Sequence, residues 1–84
     1  MKELRWNVQK NEWLKKTRGT SFEELLQAKL IAIKRHPKLA HQHLMIFEYK
    51  DYLWVAPCVV SEKAVFLKTL YPSRKYTQAY KGGA

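Results

Sequence analysis

The sequence contains few of the residues that cross-link or interrupt a small domain: one cysteine, three glycines and three prolines among 84 residues. Because Cys58 is the only cysteine, a disulfide framework within the chain and a zinc site built from cysteine pairs are excluded, and a reducing compartment is expected. No repeat or linker divides the chain, and its length allows only one core. The sequence therefore predicts a single domain over residues 1–84, with a disordered tail at residues 81–84.

Acidic residues are scarce: seven Asp and Glu against sixteen Lys and Arg, which gives a formal net charge of +9. Such a surface attracts anions. Hydrophobic residues make up 46% of the chain and aromatic residues 13%, which is too much apolar area for a disordered segment. On charge alone, the expected partner is nucleic acid, an anionic membrane surface or an acidic protein.

Long apolar runs are absent as well. No segment approaches the roughly 18 to 20 apolar residues that span a bilayer, and the first ten residues, MKELRWNVQK, contain no apolar signal region. No predicted helix carries the broad apolar face of an interfacial anchor. We therefore expect a soluble, cytoplasmic protein with no membrane partner.

The N-terminal residues predict a short strand followed by a helix. Leu4 and Trp6 alternate with charged residues, which is typical of a strand. Asn7 is a favourable N-cap for a helix over residues 8–17. We expect that helix to end near Gly19.

A second helix and a series of strands follow. Thr20 and Glu23 form a capping-box pattern, which predicts a helix over residues 21–29. After this helix the apolar period changes from 3.6 to 2, as in strands. The predicted strands cover residues 30–34, 44–49, 52–60 and 64–71.

One turn and two prolines refine this pattern. Lys50 and Asp51 predict a tight hairpin turn. Pro57 has no N–H for a strand ladder and predicts a bulge or an outer edge, and Pro72 at a first helical position predicts a C-terminal helix over residues 73–80. The predicted fold class is α+β: a small three- to four-stranded, mainly antiparallel sheet, with the N-terminal helices and the short C-terminal helix on one face.

The two ends of the chain carry most of the positive charge. Residues 2–18 contain six Lys and Arg against two acids, and residues 68–81 contain four with no acid. If the first strand joins the sheet, the two ends lie side by side and form one cationic groove whose natural ligand is phosphate. The alternative is that these charges only solvate the surface. The predicted substrate-binding residues in these ends are Lys10, Arg18 and Lys68.

Residues 71–75 combine a strand end, a helix start and two adjacent cations, Arg74 and Lys75. Backbone N–H groups at a helix N-terminus and an Arg fork both match phosphate oxygens. The alternative is simple helix capping with both cations solvated. Tyr71 either packs in the core or stacks on a base, and we count it among the substrate-binding candidates.

The three histidines of the chain lie within eight residues. Imidazole suits proton transfer near neutrality. His36 precedes Pro37 and is predicted to be a turn residue, whereas His41 and His43 flank a strand start and are candidates to contact substrate. No Cys or acidic residue adjoins them to complete a zinc site, and no Gly-rich phosphate loop is present, so we expect no metal and no cofactor. Cys58 is predicted to be a buried, inert thiol.

Two segments resemble a known family. They are Trp6 with Lys10-Asn11, Leu14-Lys15 and Arg18-Gly19-x-Ser21-Phe22-Glu23-Glu24, and Phe66-Leu67-Lys68-Thr69-Leu70-Tyr71-Pro72-Ser73-Arg74-Lys75. They are similar to the BrnT-type ribonuclease toxins of type II toxin–antitoxin systems, within the RelE/ParE-like group; residues 28–63 match only in pattern. The resemblance implies a RelE-like fold, a metal-independent endoribonuclease that binds RNA and arrests translation, and an antitoxin partner, often with a ribbon-helix-helix DNA-binding end.

The resemblance also implies a site. The family's Lys-His-Gly helix end is Thr17-Arg18-Gly19 here, so the base must come from elsewhere. Metal-free RNA cleavage needs a base for the 2′-hydroxyl, an acid for the leaving oxygen and cations for the phosphorane charge. By position, the family's phosphate site corresponds to Arg74, Lys75, Lys10 and Lys15. The hypothesised catalytic set is Arg74, Lys75, Lys15 and His43, with His41 binding substrate. An antitoxin segment is expected to cover the basic groove. The alternative function is a non-catalytic basic module that binds nucleic acid or an acidic partner protein.

Overall fold

A computed structural model describes residues 3–82 of the chain. Within this range the helices are α1 (Val8–Arg18), α2 (Phe22–Leu26) and α3 (Arg74–Thr77), and a π-helical turn over Gln78–Gly82 follows α3. The strands are β1 (Glu3–Trp6), β2 (Lys29–Arg35), β3 (Gln42–Tyr49), β4 (Tyr52–Val60), β5 (Ala64–Leu67) and β6 (Tyr71–Pro72). The tail predicted at residues 81–84 is thus helical in its first two residues, and residues 83 and 84 lie outside the described range.

Within the described residues, six strands form one mixed sheet. The order is β1-β5-β4-β3-β2, and β6 pairs with β4. β1 runs parallel to β5, from Glu3 opposite Ala64 to Trp6 opposite Leu67, and the other pairs are antiparallel. The prediction of an α+β fold is confirmed. The predicted count of three or four strands is too low, because β1 pairs with β5 and residues 71–72 form a strand of their own.

The single strand predicted over residues 64–71 is interrupted next to Pro57. This proline lies in the central strand β4, opposite Leu44 of β3, and so not on an edge. It lies at a bulge, the other predicted position, because three residues separate Leu67 from Tyr71 where two separate Val55 from Cys58. On its other side β4 pairs with β5 only from Cys58 onward and with β6 at Val55. The N–H that proline lacks falls in this interval, which explains why a central strand tolerates it.

The predicted turns and first helix are confirmed. Lys50 and Asp51 have φ angles of 53° and 63°, as a two-residue hairpin turn of the primed type requires. The side chain of Asn7 accepts a hydrogen bond from the Lys10 N–H at 2.9 Å and caps α1. Gly19, with φ 71°, ends α1 in the left-handed conformation that glycine adopts without strain.

The second helix begins one residue later than the capping-box pattern predicted. Its N-cap is Ser21, whose Oγ accepts from the Glu24 N–H at 3.2 Å, and not Thr20. The helix also ends at Leu26, short of the predicted residue 29, because the chain enters β2 at Lys29.

A buried asparagine joins α1 to α2. The Oδ1 of Asn11 accepts from the Phe22 N–H at 2.8 Å, and its Nδ2 donates to Glu23 at 2.5 Å. That bond is the main reason why the pKa of Glu23 lies below its ordinary value. The two helices therefore pack as one unit.

Apolar residues alternate along β3 and β4, so the sheet has a core on each face. The larger core lies under α1 and α2 and contains Leu14, Phe22, Leu25, Phe47, Ala56, Cys58, Leu67 and Leu70. The smaller contains Leu44, Ile46, Leu53 and Val55, with Tyr76 of α3 packed against it. The helices therefore lie on both faces and not on one, because Tyr76 packs beside odd-numbered residues of β4 and α1 packs beside even-numbered ones.

The C-terminal helix is shorter than predicted. Pro72 lies in β6, and Ser73 is the N-cap of α3. The Ser73 N–H donates to the Leu53 carbonyl at 2.8 Å, and the Leu53 N–H donates to Thr77 Oγ1 at 2.9 Å. These bonds fix α3 to β4, and the π-helical turn over Gln78–Gly82 continues from its end.

Candidate nucleic-acid interface and histidine pocket

A pocket lies at the end of the sheet where β2 turns into β3. Its volume is about 340 Å³. We call it the histidine pocket, since all three histidines of the chain line it. Its lining residues are Arg35, His36, Leu39, Ala40, His41, Gln42 and His43.

Hydrogen bonds within the loop hold His36 in place. Its Nδ1 accepts from the N–H groups of Lys38 and Leu39, each at 3.1 Å. The His36 N–H also donates to the Gln42 carbonyl at 3.0 Å. These three bonds fix the orientation of the His36 ring within the loop. The prediction that His36 is a turn residue is confirmed, and His41 and His43 remain candidates for proton transfer.

His43 lies on β3, between β2 and β4. It is opposite Arg35 of β2 and Cys58 of β4. Its Nδ1 is buried and has no hydrogen-bond partner among residues 3–82. His41 is exposed and has a φ of 65°. Cys58 is buried, as predicted, and burial raises the pKa of its thiol.

The first helix carries cations around an exposed tryptophan. The Nζ of Lys10 lies 4.3 Å from the centroid of the Trp13 ring, and the Cζ of Arg18 lies 5.3 Å from it. Trp13 is 44% exposed, and Lys15 pairs with Glu12 at 3.5 Å. Cations beside an exposed aromatic ring are the combination with which proteins bind single-stranded nucleic acid.

Arg18 connects α1 to the segment between β5 and β6. Its guanidinium donates to the carbonyl of Leu70. Lys68, in the same segment, is exposed, and its backbone N–H donates to the Pro57 carbonyl at 2.9 Å. Two of the predicted substrate-binding residues, Arg18 and Lys68, therefore lie on adjoining elements.

The start of α3 is capped by its own sequence. Ser73 Oγ accepts from the Tyr76 N–H at 3.1 Å, which occupies one of the backbone donors predicted to bind phosphate. Arg74 and Lys75 are exposed, and Tyr71 is half-buried, with its pKa raised mainly by burial. Ser73 thus caps this helix, and Pro72, which lies in β6, does not occupy its first position. Arg74 and Lys75 remain the predicted phosphate contacts at this position.

The predicted catalytic residues do not meet at one place. Ser73, which precedes Arg74, donates a hydrogen bond to Leu53 of β4, whereas His43 lies opposite Cys58 of the same strand. Leu53 and Cys58 are five positions apart on β4, a distance of about 17 Å at roughly 3.3 Å per residue. In addition, α1 and α3 pack on opposite faces of the sheet. The structure therefore separates the cations of α1, the cations of α3 and the histidine pocket into three groups, where one groove was expected.

Comparison with known proteins bears on the fold. No protein-family model matches this sequence, and no curated protein matches it. The crystal structure of BrnT, a ribonuclease toxin of Brucella abortus, matches 87% of this chain and 97% of that chain, with a TM-score of 0.56 and 18% sequence identity. The chain has a BrnT-like fold. The resemblance seen in the sequence is confirmed at this level.

Within residues 3–82, no helix has both the length and the apolar character needed to cross a bilayer. In the same range, no group of three or more His, Cys, Asp and Glu side chains is placed to hold a metal ion together.

Arg35 lines the histidine pocket but is not among the residues predicted from the sequence. It lies opposite His43 only because β2 and β3 pair in this register. The loop between β2 and β3, which contains Pro37, does not show in the sequence which residues of the two strands pair. A bulge between Leu30 and Ala32 also shifts the pairing by one residue. Counting outward from the ends of β2 and β3 would have placed Arg35 beside His43.

Proposed function

We propose that this protein is a toxin that cleaves RNA without a metal ion, arrests translation and is neutralised in the cytoplasm by an antitoxin of a type II system. The observation that carries the proposal is the fold match over 97% of the chain of a ribonuclease toxin. The net charge of +9 supports an RNA substrate. Following the family resemblance, we propose an antitoxin with a ribbon-helix-helix DNA-binding end.

The histidine pocket has the groups that metal-free RNA cleavage needs. In that reaction the 2′-oxygen attacks the phosphorus and the bond to the 5′-oxygen breaks. A base takes the 2′ proton, an acid supplies a proton to the 5′-oxygen, and a cation stabilises the phosphorane. We assign the proton transfers to His43 and His41, and the phosphorane contact to Arg35.

We propose a binding role for the cations that lie away from the pocket. Because α1 and α3 flank the sheet on opposite faces, their charges hold the RNA backbone beyond the phosphate that reacts. Tyr71 and Trp13 offer rings for base stacking. The cations are Lys10, Lys15, Arg18, Lys68, Arg74 and Lys75.

Cleavage of a short RNA by the purified protein tests this proposal. We expect His43→Gln to lower the cleavage rate by about 10² to 10⁴, the usual contribution of a general acid or base, while RNA affinity changes by less than about twofold. Lys38→Ala, which removes an exposed cation from the same loop, is the matched control and should cleave normally. A substrate methylated at the reacting 2′-oxygen should not be cut. A His43→Gln protein with full activity would remove His43 from the site.

The second candidate function is a non-catalytic basic module that binds RNA or an acidic protein. The distance between His43 and the start of α3 favours the binding module, because Arg74 and Lys75 lie away from the histidines that would transfer protons. This function predicts binding in which log K falls with log salt by roughly 0.7 per phosphate contacted in a single strand. Expression in bacteria without the partner separates the two functions: new RNA 5′ ends indicate a ribonuclease, and intact RNA with normal growth indicates a binding module.

A further inference from the structure

An apolar trough crosses the face of the sheet that α1 and α2 cover in part. It has a volume of about 240 Å³ and draws its lining from five neighbouring strands, from β1 at one edge to β2 at the other. Its apolar lining residues are Leu4, Val65, Val60, Cys58, Met45 and Ile33. His43 borders both this trough and the histidine pocket.

The two ends of the trough are open. Leu4 is 44% exposed and Ile33 is 56% exposed. Five strands at a spacing of about 4.8 Å span roughly 19 Å, which is the length of a helix of about 13 residues. Exposed apolar side chains at both ends of an apolar trough form a candidate interaction surface.

The charges around the trough indicate what fills it. Arg35 lies two residues after Ile33 on the same face of β2, and Lys63 precedes β5 and bonds the N–H of Glu3 through its carbonyl at 3.0 Å. One acid, Glu62, lies in the same turn as Lys63. A second copy of the chain would bring another charge of +9 and be repelled.

We propose that the trough binds an acidic amphipathic helix of a partner protein. The apolar side chains of that helix fill the trough, and its carboxylates face Arg35 and Lys63. The trough is separate from the cations of α1 and α3 and adjoins the histidine pocket, which Arg35 lines, at His43. Binding of the helix does not require RNA cleavage.

Designed peptides of about 18 residues test the proposal. The first has leucines at helical spacing with glutamates on the flanks, the second has lysines in place of the glutamates, and the third has the composition of the first in scrambled order. Fluorescence anisotropy of labelled peptide should give a Kd for the first peptide at least about tenfold below those of the other two. Ile33→Asp and Leu4→Asp should each weaken binding by about tenfold, whereas Phe66→Asp, at an equally exposed position on the opposite face, should change it by less than about twofold.

NMR shift mapping on the wild-type protein supplies a second measurement that does not depend on the variants folding. Shifts confined to the trough support the proposal. Equal affinity for the three peptides, or shifts on α1 in place of the trough, would overturn it. So would an RNA oligonucleotide that shifts Leu4, Val60 and Val65, which lie outside the histidine pocket, or self-association of the free protein that Ile33→Asp abolishes. RNA cleavage by Ile33→Asp and Leu4→Asp, measured in parallel, separates this proposal from the proposed function, since both variants should cleave normally.

Discussion

Replacing Asn11 by alanine tests how the basic helix α1 is fixed to the rest of the fold. Asn11 is 4% exposed, and its side chain accepts from the Phe22 N–H at 2.8 Å and donates to Glu23 at 2.5 Å. Alanine leaves the Phe22 N–H buried without this partner, which costs about 1 to 3 kcal/mol. The lost bond to the exposed Glu23 carboxylate adds up to about 1 kcal/mol. Together these two contributions amount to about 1 to 4 kcal/mol, and we expect the free energy of unfolding to fall by a value in the middle of this range, about 2 to 3 kcal/mol.

Urea titration followed by circular dichroism measures this loss, and calorimetry should show a fall in Tm of about 10 to 20 °C for a domain of this size. Asn7→Ala is the matched control, because it removes an exposed asparagine from the N-cap of the same helix. Its expected cost is about 1 kcal/mol. If Asn11→Ala loses less than about 0.5 kcal/mol, or no more than the control, the buried amide does not hold the helices together and the reasoning fails.

Three further predictions follow from single contacts. Arg18→Ala removes the bond to the Leu70 carbonyl and should lower the free energy of unfolding by about 1 to 2 kcal/mol in urea; an unchanged midpoint would contradict it. The buried Cys58 thiol should react with a thiol reagent at pH 8 roughly a hundredfold more slowly in the folded protein than in urea, and equal rates would show that it is accessible. Because the folded pKa of Glu23 is lowered, its contribution to stability is present above the unfolded value of about 4.3 and is lost as the pH falls through the folded pKa. Glu23→Gln should therefore reduce the pH dependence of the free energy of unfolding below about pH 4.5. An unchanged pH dependence in this range would show that Glu23 does not contribute to it.

Features that depend on a few adjacent residues were predictable from the sequence. Asn7 caps a helix, Gly19 ends it, and Lys50-Asp51 turns a hairpin, because each effect involves backbone groups within about four residues. The position of the second N-cap was wrong by one residue, since Thr20 and Ser21 both offer a hydroxyl and tertiary packing decides between them.

Features that depend on distant residues were not predictable. The break after Leu67 reflects Pro57 on the neighbouring strand, and the placement of α3 reflects its bonds to Leu53. The candidate site likewise has one part that was predictable from nearby residues and one part that depends on distant ones. Clustering along the chain identified His41 and His43, but Arg35 reaches them only through the register of β2 on β3. The cations of α1 and those of α3 remain apart because these two helices pack on opposite faces of the sheet.

The parallel pairing of β1 with β5 has a consequence for synthesis. Leu4 pairs with Val65, about sixty residues later in the chain. During translation, β2, β3 and β4 can form a meander from local contacts. β1 cannot pair until β5 has been synthesised. Since α1 directly follows β1, the most basic helix is set in place among the last elements. A nascent chain that ends before residue 64 therefore lacks the pairing that positions this helix, and we expect it to be inactive.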